Sequence, residues 1–228
     1  MSIEDAKLAA ARAALEELPE RGIVGLGTGS TARLFIEEVG KLVRAGRQLS
    51  GVPTSDASRA QAAALGIPLL DDSGPWQIDV CVDGADEVSD ALDLIKGGGG
   101  AHTREKIVNA AARRNVIIVD SSKLSRRLGE KWPVPVEVLP FGRDATAAQL
   151  ARFGEPVLRV RQGTPFRTDS GNFLFDLKAG PIDAPRELEQ ALRSVVGVVE
   201  VGLFCGRADV VLVASEQGVA RQVANRSR

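Results

Sequence analysis

Short apolar runs alternate with helical segments over the first 130 residues, and this alternation constrains the fold more than any other feature. The runs GIVGLG, IDVCVD and VIIVD, at 22–27, 78–83 and 116–120, are apolar almost throughout. Helices are predicted between and around them at 4–18, 30–44, 55–65 and 103–114. Because apolar strands joined by helices indicate a parallel sheet covered on both faces, we predict a doubly wound, Rossmann-like α/β domain with a mostly parallel sheet.

The order of elements changes from about residue 132. The predicted elements are a strand VPVEVLP, a helix at 145–153, a strand PVLRV, a hairpin centred on TDSGN, a helix at 185–195 and a strand GVVEVGLF. This βαββαβ order is typical of a small α+β domain of the ferredoxin-like type. The tail ADVVLVASEQGVARQVANR is predicted to form a strand that rejoins the first sheet, followed by a helix. We therefore expect a Rossmann-like catalytic domain at 1–131 and 204–228, with the small α+β domain at 132–203 inserted before the C-terminal strand.

The composition limits the classes of partner that the protein is expected to bind. The 228 residues include 29 basic and 30 acidic side chains without a long block of either sign, so no nucleic-acid surface is indicated. The N-terminus lacks the pattern of a signal peptide, and no stretch approaches the roughly 20 apolar residues that cross a bilayer. We expect a cytoplasmic protein that contacts no membrane. The two cysteines, Cys81 and Cys205, lie in apolar stretches without metal-ligand spacing, and both are predicted to be buried thiols.

Ligands of an open parallel sheet bind beyond the carboxyl ends of its strands. The first strand is followed by the loop TGST, which comprises Thr28, Gly29, Ser30 and Thr31, and then by a helix. Hydroxyls, a close-approaching backbone and the positive end of a helix form a cradle for phosphate, although an ordinary capped turn would look similar. No Walker A lysine follows, and the acidic residue required by a dinucleotide fingerprint is missing.

The next strand ends in Asp83, followed by Gly84, Ala85 and Asp86. Two carboxylates three residues apart can enter one crevice and serve as proton donor and acceptor, or they can form a solvated turn.

A glycine run then follows Lys96, beginning with Gly97, Gly98 and Gly99. Glycine lets the backbone lie against a ligand, and Lys96 can hold an enolate oxygen. Glu105 lies in the next predicted helix, where it can act as a base or can merely pair with the helix start together with Thr103.

Two further residues lie near these motifs. Lys123 follows the strand VIIVD within the stretch DSSK, as a second cation or as a solvated lysine. His102 is the single histidine, and with no nucleophile motif or metal partner we interpret it as a bystander. The whole set suits proton abstraction beside the carbonyl of a small phosphorylated substrate, for which isomerisation is the simplest reaction.

GLGTGSTA at 25–32, DGADE at 83–87, IKGGGGAHTREK at 95–106 and VDSSK at 119–123 together resemble ribose-5-phosphate isomerase of the A type. The resemblance extends through KWPVPVEVLP and GRADVVLVASEQGV. It implies interconversion of D-ribose 5-phosphate and D-ribulose 5-phosphate in the non-oxidative pentose phosphate pathway, through a cis-enediol(ate), without a metal or organic cofactor. The departures from the family pattern are a fourth glycine, Gly100, and His102 where an apolar residue is expected.

The resemblance also implies roles. Glu105 would move the proton between C2 and C1, and Asp83 would assist ring opening with Asp86 close by. Lys96 and the N–H groups of the glycines after it would stabilise the oxyanion. The remaining contacts with the phosphosugar would come from Thr28–Thr31, Gly84, Ala85, Lys123 and Lys7.

The family is commonly dimeric or tetrameric, so a homodimer or homotetramer is expected. The motifs also bear on two other functions. A non-catalytic sugar-phosphate sensor of the same fold remains the alternative function, and a nicotinamide-dependent oxidoreductase would need the missing ribose-binding acid.

Overall fold

The computed structural model describes residues 2–224, which form six helices and sixteen strands. The helices are α1 Ile3–Ala13, α2 Ser30–Arg44, α3 Asp56–Ala64, α4 His102–Ala111, α5 Arg143–Leu150 and α6 Pro185–Arg193. The first eight strands are β1 Arg21–Leu26, β2 Gln48–Pro53, β3 Val80–Asp83, β4 Glu87–Ser89, β5 Leu94–Ile95, β6 Asn115–Asp120, β7 Leu124–Ser125 and β8 Val134–Val138. The other eight are β9 Glu155–Leu158, β10 Val160–Arg161, β11 Thr164–Pro165, β12 Phe173–Lys178, β13 Val198–Val201, β14 Leu203–Phe204, β15 Val210–Ser215 and β16 Gly218–Val223.

The chain divides into two compact units. The first contains the described residues up to Ala85, then Arg104–Lys123, then those from Arg207 on. The second contains Asp86–Thr103 and Leu124–Gly206. The domain limits expected from the sequence, 1–131 with 204–228 and 132–203, remain a proposal about which segments fold independently.

The first unit is built on a six-stranded sheet with the order β16-β15-β6-β3-β1-β2. The five strands β2, β1, β3, β6 and β15 run parallel, and β16 pairs antiparallel with β15 at the edge. Successive residues of a strand face opposite sides of the sheet. Val82 packs in a large apolar cluster with α1, α2 and α3, whereas its neighbour Cys81 packs in a second cluster with Val108 of α4. Helices therefore cover both faces, which confirms the doubly wound fold predicted from the sequence.

The second unit contains an antiparallel sheet with the order β13-β8-β12-β9. With α5 between β8 and β9, and α6 between β12 and β13, this is the βαββαβ arrangement predicted for a ferredoxin-like domain. Its core consists of apolar strand residues packed with Leu150 of α5 and Leu192 of α6. A further sheet, β14-β5-β4-β7, was not predicted, because its strands are only two or three residues long and carry no periodicity.

Two sequence expectations are wrong. The tail does rejoin the first sheet through β15, but the helix expected after it is instead the strand β16 over its described part, and residues 225–228 lie outside the described residues. The reversal occurs at Gly218, whose φ of +113° suits a turn that other residues enter only with strain. Cys81 is buried as expected, whereas Cys205 is half-buried. Within residues 2–224 no helix combines the length and the apolar composition that a membrane span requires.

Candidate active site

The loop between β1 and α2 is held by a cluster of hydroxyl groups in the first unit. The Thr28 hydroxyl lies 2.7 Å from the Thr54 hydroxyl and 2.8 Å from the Ser55 hydroxyl. Ser58 donates to the carbonyl oxygen of Gly27 over 2.7 Å. Three hydroxyl groups surround the Thr28 side chain, so this side chain anchors the loop to the protein interior. Ser30 is exposed and Thr31 is half-buried, and these two residues form the outer surface of the loop.

The start of α2 differs from the starts of α1 and α3. Ser2 and Ser55 cap α1 and α3 with their side chains, and hydrogen bonds from Ser2 lower the pKa of Asp5 in the first turn of α1. Gly29 is the N-cap of α2, makes no side-chain capping bond, and no acidic residue lies in the first turn. The N–H groups and the positive dipole end of a 15-residue helix are therefore left for an anion. This arrangement suits a phosphate group.

Asp83, at the end of β3, is bonded to the same loop. Its carboxylate is only 3% exposed, and Oδ1 accepts hydrogen bonds from the backbone N–H of Thr28 at 3.0 Å and of Gly84 at 2.7 Å. The structure thus brings together two of the predicted strand-end motifs, because β1 and β3 are neighbouring parallel strands. One carboxylate oxygen of Asp83 is fixed by the backbone, which orients the other.

Three predicted residues of the first unit lie on other elements. Glu105 is 4% exposed in the first turn of α4, and Lys123 is half-buried at the end of a 3₁₀ turn, Ser121–Lys123, after β6. Lys7, on α1, bonds to Glu4 over 2.9 Å.

In the second unit, Asp86 and Lys96 flank the glycine run. Asp86 Oδ2 accepts a hydrogen bond from the N–H of Gly98 over 2.6 Å. Lys96 is 3% exposed, and its ammonium nitrogen lies 5.4 Å from the centre of the Phe204 ring. The glycine run was predicted to lie near these two side chains, and the bond from Gly98 joins it to Asp86. Gly84 and Ala85, which connect Asp83 to Asp86, are half-buried.

The four glycines form a tight turn. The N–H of Gly100 donates to the carbonyl oxygen of Gly97 over 2.9 Å, and the two residues have φ values of +89° and +108°. His102 packs directly against Gly97, where an added Cβ would lie 2.7 Å from the His102 Nδ1. His102 is fully buried, and its Nε2 lies 3.2 Å from the carbonyl oxygen of Glu200. The histidine interpreted as a bystander therefore packs against the glycine turn and helps to shape it.

A buried carboxylate that the sequence interpretation missed lies in the second unit. Glu137, on β8, is 1% exposed and accepts hydrogen bonds from Thr103, Thr168 and Asn172. The Thr103 hydroxyl thus bonds to Glu137 rather than forming the cap with Glu105 that was the alternative. The signal was present in the sequence, since a glutamate in the apolar strand VPVEV needs buried donors, and TDSGN supplies two of them.

No cluster of three or more metal-ligating side chains occurs within residues 2–224. The residues present are instead carboxylates, lysines, hydroxyls and backbone donors, which bind anions and transfer protons.

The chain matches one family of known proteins over most of its length. The model of the family described as Ribose 5-phosphate isomerase A (phosphoriboisomerase A) matches residues 50–218. Ribose-5-phosphate isomerase A of Gloeobacter violaceus is 48% identical over 221 residues, covering 96% of each chain. The Thermococcus kodakarensis protein of the same name is 43% identical over 226 residues, covering 97% of this chain and 99% of its own.

Two solved structures match with similar completeness. Ribose 5-phosphate isomerase A from Methanocaldococcus jannaschii superimposes with a TM-score of 0.92 and 41% identity, over 97% of this chain and 100% of its own. A D-ribose-5-phosphate isomerase in complex with phospho-erythronic acid superimposes with a TM-score of 0.93 and 39% identity, over 98% of this chain and 100% of its own.

Proposed function

Since the chain belongs to the ribose 5-phosphate isomerase A family, we propose that it interconverts D-ribose 5-phosphate and D-ribulose 5-phosphate through a cis-enediol(ate). The observation that carries this mechanism is Glu105, a buried carboxylate in the first turn of α4, the helix that follows the tight turn of four glycines along the chain. A base and oxyanion donors are the groups that enolisation requires.

The proposed chemistry balances within the substrate. Glu105 removes the proton from C2 of the open-chain aldose, and the electron pair moves through C1 to the carbonyl oxygen, O1, to give the enediolate. Returning that proton to C1, while the proton on O2 passes to O1, yields the ketose and restores the Glu105 carboxylate. The reaction moves no electrons between molecules, so it requires no redox cofactor, and in this scheme Lys96 and the backbone N–H groups stabilise the oxyanion without a metal.

The remaining roles are those that the family implies, and hydrogen bonds of Asp83 and Asp86 within each unit support part of this assignment. The open N-terminus of α2, with Thr28–Thr31, binds the phosphate, and Asp83 assists ring opening together with Asp86. Lys96 and the glycine turn stabilise the enediolate oxygen. Gly84, Ala85, Lys123 and Lys7 complete the substrate contacts, and Lys7 would have to leave Glu4 to do so.

The alternative is a non-catalytic sugar-phosphate sensor of the same fold. The relatives that match over nearly the whole chain carry the name of an isomerase, and the base, the carboxylate pair and the lysine are all present here. A sensor would need none of these groups beyond the phosphate cradle, which favours the catalytic reading.

One incubation tests the proposal. The protein is mixed with ribose 5-phosphate and excess chelator, and ribulose 5-phosphate is followed over time. Formation of the ketose at an enzymatic rate is the expected result. Absence of ketose under these conditions would falsify the proposed function, and binding without turnover would support the sensor.

The setting of the reaction is also a proposal. We place the protein in the cytoplasm, in the non-oxidative pentose phosphate pathway, as a homodimer or homotetramer. Phe141 and Val196 in the second unit are 94% and 81% exposed, and covering these side chains with a second copy would remove apolar surface from water.

A further inference from the structure

Arg159, between β9 and β10, is tied to the glycine turn by its guanidinium. Nη1 donates to the carbonyl oxygens of Gly97 at 2.7 Å and Gly98 at 3.1 Å. The other edge of the guanidinium bonds to both carboxylate oxygens of Asp176 on β12, with Nε 2.9 Å from Oδ2 and Nη2 bonded to Oδ1. Only 13% of the Arg159 side chain is exposed. The arginine is thus fixed by a two-point ion pair, and its remaining donors meet two successive backbone carbonyls.

These contacts determine which way the backbone N–H groups of the turn point. A trans peptide is planar, so its C=O and the following N–H point in opposite directions. The Gly97 carbonyl is held toward Arg159, and the N–H of Gly98 accordingly points away and reaches Asp86 Oδ2 at 2.6 Å. The Gly98 carbonyl is also held toward Arg159, which turns the N–H of Gly99 away from Arg159 as well.

The Gly99 N–H differs from that of Gly98 in having no acceptor. Gly99 is exposed, and among residues 2–224 no hydrogen bond engages its N–H. The N–H of Gly98 is committed to Asp86, and that of Gly100 closes the turn on Gly97. Of the three N–H groups that follow Gly97, that of Gly99 is therefore the one that is oriented and available.

The aromatic ring of Phe166 packs against Arg159 and the glycine turn and stabilises the same backbone conformation. The guanidinium carbon of Arg159 lies 6.0 Å from the centre of the Phe166 ring, and a Cβ on Gly100 would collide with that ring. The fourth glycine of the run is required because Phe166 occupies the space beside it. The glycine turn is therefore packed at both ends, with His102 against Gly97 and Phe166 against Gly100.

Resting on the proposed isomerase function, we propose that Arg159, held by Asp176, is a positioning residue that aims the Gly99 N–H at the developing enediolate oxygen. It touches no reacting atom in this scheme. By binding two carbonyls it fixes two peptide planes in advance, so that the donor needs no reorganisation when negative charge develops on the substrate oxygen. The same clamp orients Asp86 through the N–H of Gly98.

The test compares Arg159→Met with Arg161→Met. Arg161 is a matched control, because it is an exposed arginine two residues further on whose guanidinium carbon lies 4.5 Å from the centre of the same Phe166 ring. We expect Arg159→Met to lower kcat about 100-fold, the lower end of the loss seen when one oxyanion donor is removed, with KM nearly unchanged. Arg161→Met should keep wild-type kcat.

Inhibition separates positioning from general damage. Phospho-erythronic acid carries a carboxylate where the enediolate oxygens form, whereas inorganic phosphate tests only the phosphate cradle. Arg159→Met should raise the Ki of phospho-erythronic acid and leave the Ki of phosphate unchanged. Equal weakening of both inhibitors, or a kcat equal to that of Arg161→Met, overturns the proposal.

Two further readouts keep the outcome clear. If Arg159→Met does not fold, the same test is made with Arg159→Lys and Asp176→Asn. Each of these variants should lower kcat, by a smaller factor than is expected for Arg159→Met. A crystal structure of the variant should show the Gly98–Gly99 peptide rotated, and an unrotated peptide contradicts the clamp whatever the activity. Inactivity of the wild-type protein would instead refute the proposed function.

Discussion

Asp83 illustrates how one side chain can serve both structure and chemistry. Two backbone N–H groups, from Thr28 and Gly84, bond to its Oδ1, so the carboxylate connects the phosphate loop to the end of β3. A carboxylate with one oxygen fixed in this way presents the other in a defined direction. Residue-scale predictions can therefore separate charge from shape, because Asn and Gln keep the shape of Asp and Glu.

Glu105→Gln is expected to retain the fold and phosphate affinity while lowering kcat by several orders of magnitude, since the amide cannot accept the C2 proton. Steady-state rates with ribose 5-phosphate and the Ki of inorganic phosphate are the measurements. A matched control is Glu187→Gln, which changes a carboxylate in the first turn of α6. Near-normal turnover of Glu105→Gln would remove Glu105 from the role of base.

Asp83→Asn should slow ring opening more than enolisation, because its Oδ1 contacts can be kept while the acid is lost. Ribulose 5-phosphate has no ring to open, since its O5 carries the phosphate. Incubating it with the variant in D₂O separates the two steps, as deuterium enters C1 through the enediolate alone. We expect formation of ribose 5-phosphate to fall by a larger factor than deuterium incorporation, and equal losses would argue against ring opening.

At the scale of elements, the start of α2 has been left without the cap that α1 and α3 possess. Such a helix start gives up a capping side chain, which costs only about a few tenths of a kcal/mol where glycine is the N-cap, and keeps its N–H groups for a ligand. Stability and binding should respond in opposite directions to a charge placed there.

Ser30→Asp is expected to raise the melting temperature slightly and to raise the KM for ribose 5-phosphate at least 10-fold. An acidic residue in the first turn stabilises a helix by about 0.3–1 kcal/mol, but it repels a phosphate dianion a few Å away. Ser30→Ala controls for loss of the hydroxyl. Thermal unfolding and steady-state kinetics measure the two effects, and an unchanged KM would place the phosphate elsewhere.

Elements whose pattern extends over several residues could be predicted from sequence, and shorter ones could not. The helix at 30–44 was predicted with the bounds that α2 has, because apolar residues such as Phe35, Ile36 and Val39 recur on one face. β4, β5 and β7 were missed because two or three residues carry no period, and β14 was predicted only as the end of the single strand GVVEVGLF. β16 was predicted as helix because Arg221 and Gln222 lie on an exposed edge strand, where no apolar alternation marks a strand.

The candidate site was predictable only in its parts near strand ends and helix starts. Asp83 and Thr28 could be placed together, since neighbouring parallel strands bring their carboxyl ends to one edge. Arg159 could not be linked to the glycine turn, because a pairing between an arginine and backbone carbonyls 62 and 61 residues earlier leaves no local pattern. Glu137 had a partial signal in its apolar strand, but its partner Thr103 was assigned to a cap.

At the scale of the whole molecule, the family and the exposed side chains of the second unit lead to a prediction about mass. Sedimentation equilibrium should give two or four times 24.1 kDa, the mass of one chain. Dilution should not yield monomers at concentrations where activity is measured, if the assembly covers its apolar side chains permanently. A single species of 24.1 kDa would contradict the expected homodimer or homotetramer.

The strand β16 has a consequence for how the protein behaves in a concentrated solution. It takes up the hydrogen-bonding edge of β15, whose residues Val210–Ala214 are all buried and would otherwise offer an apolar template to another chain. β16 is itself mostly exposed, and Arg221 within it bonds to Glu17. An exposed edge strand that carries a charged residue is a poor site for the addition of another strand. β16 therefore keeps the apolar strand β15 from pairing with other chains and protects the protein from aggregation.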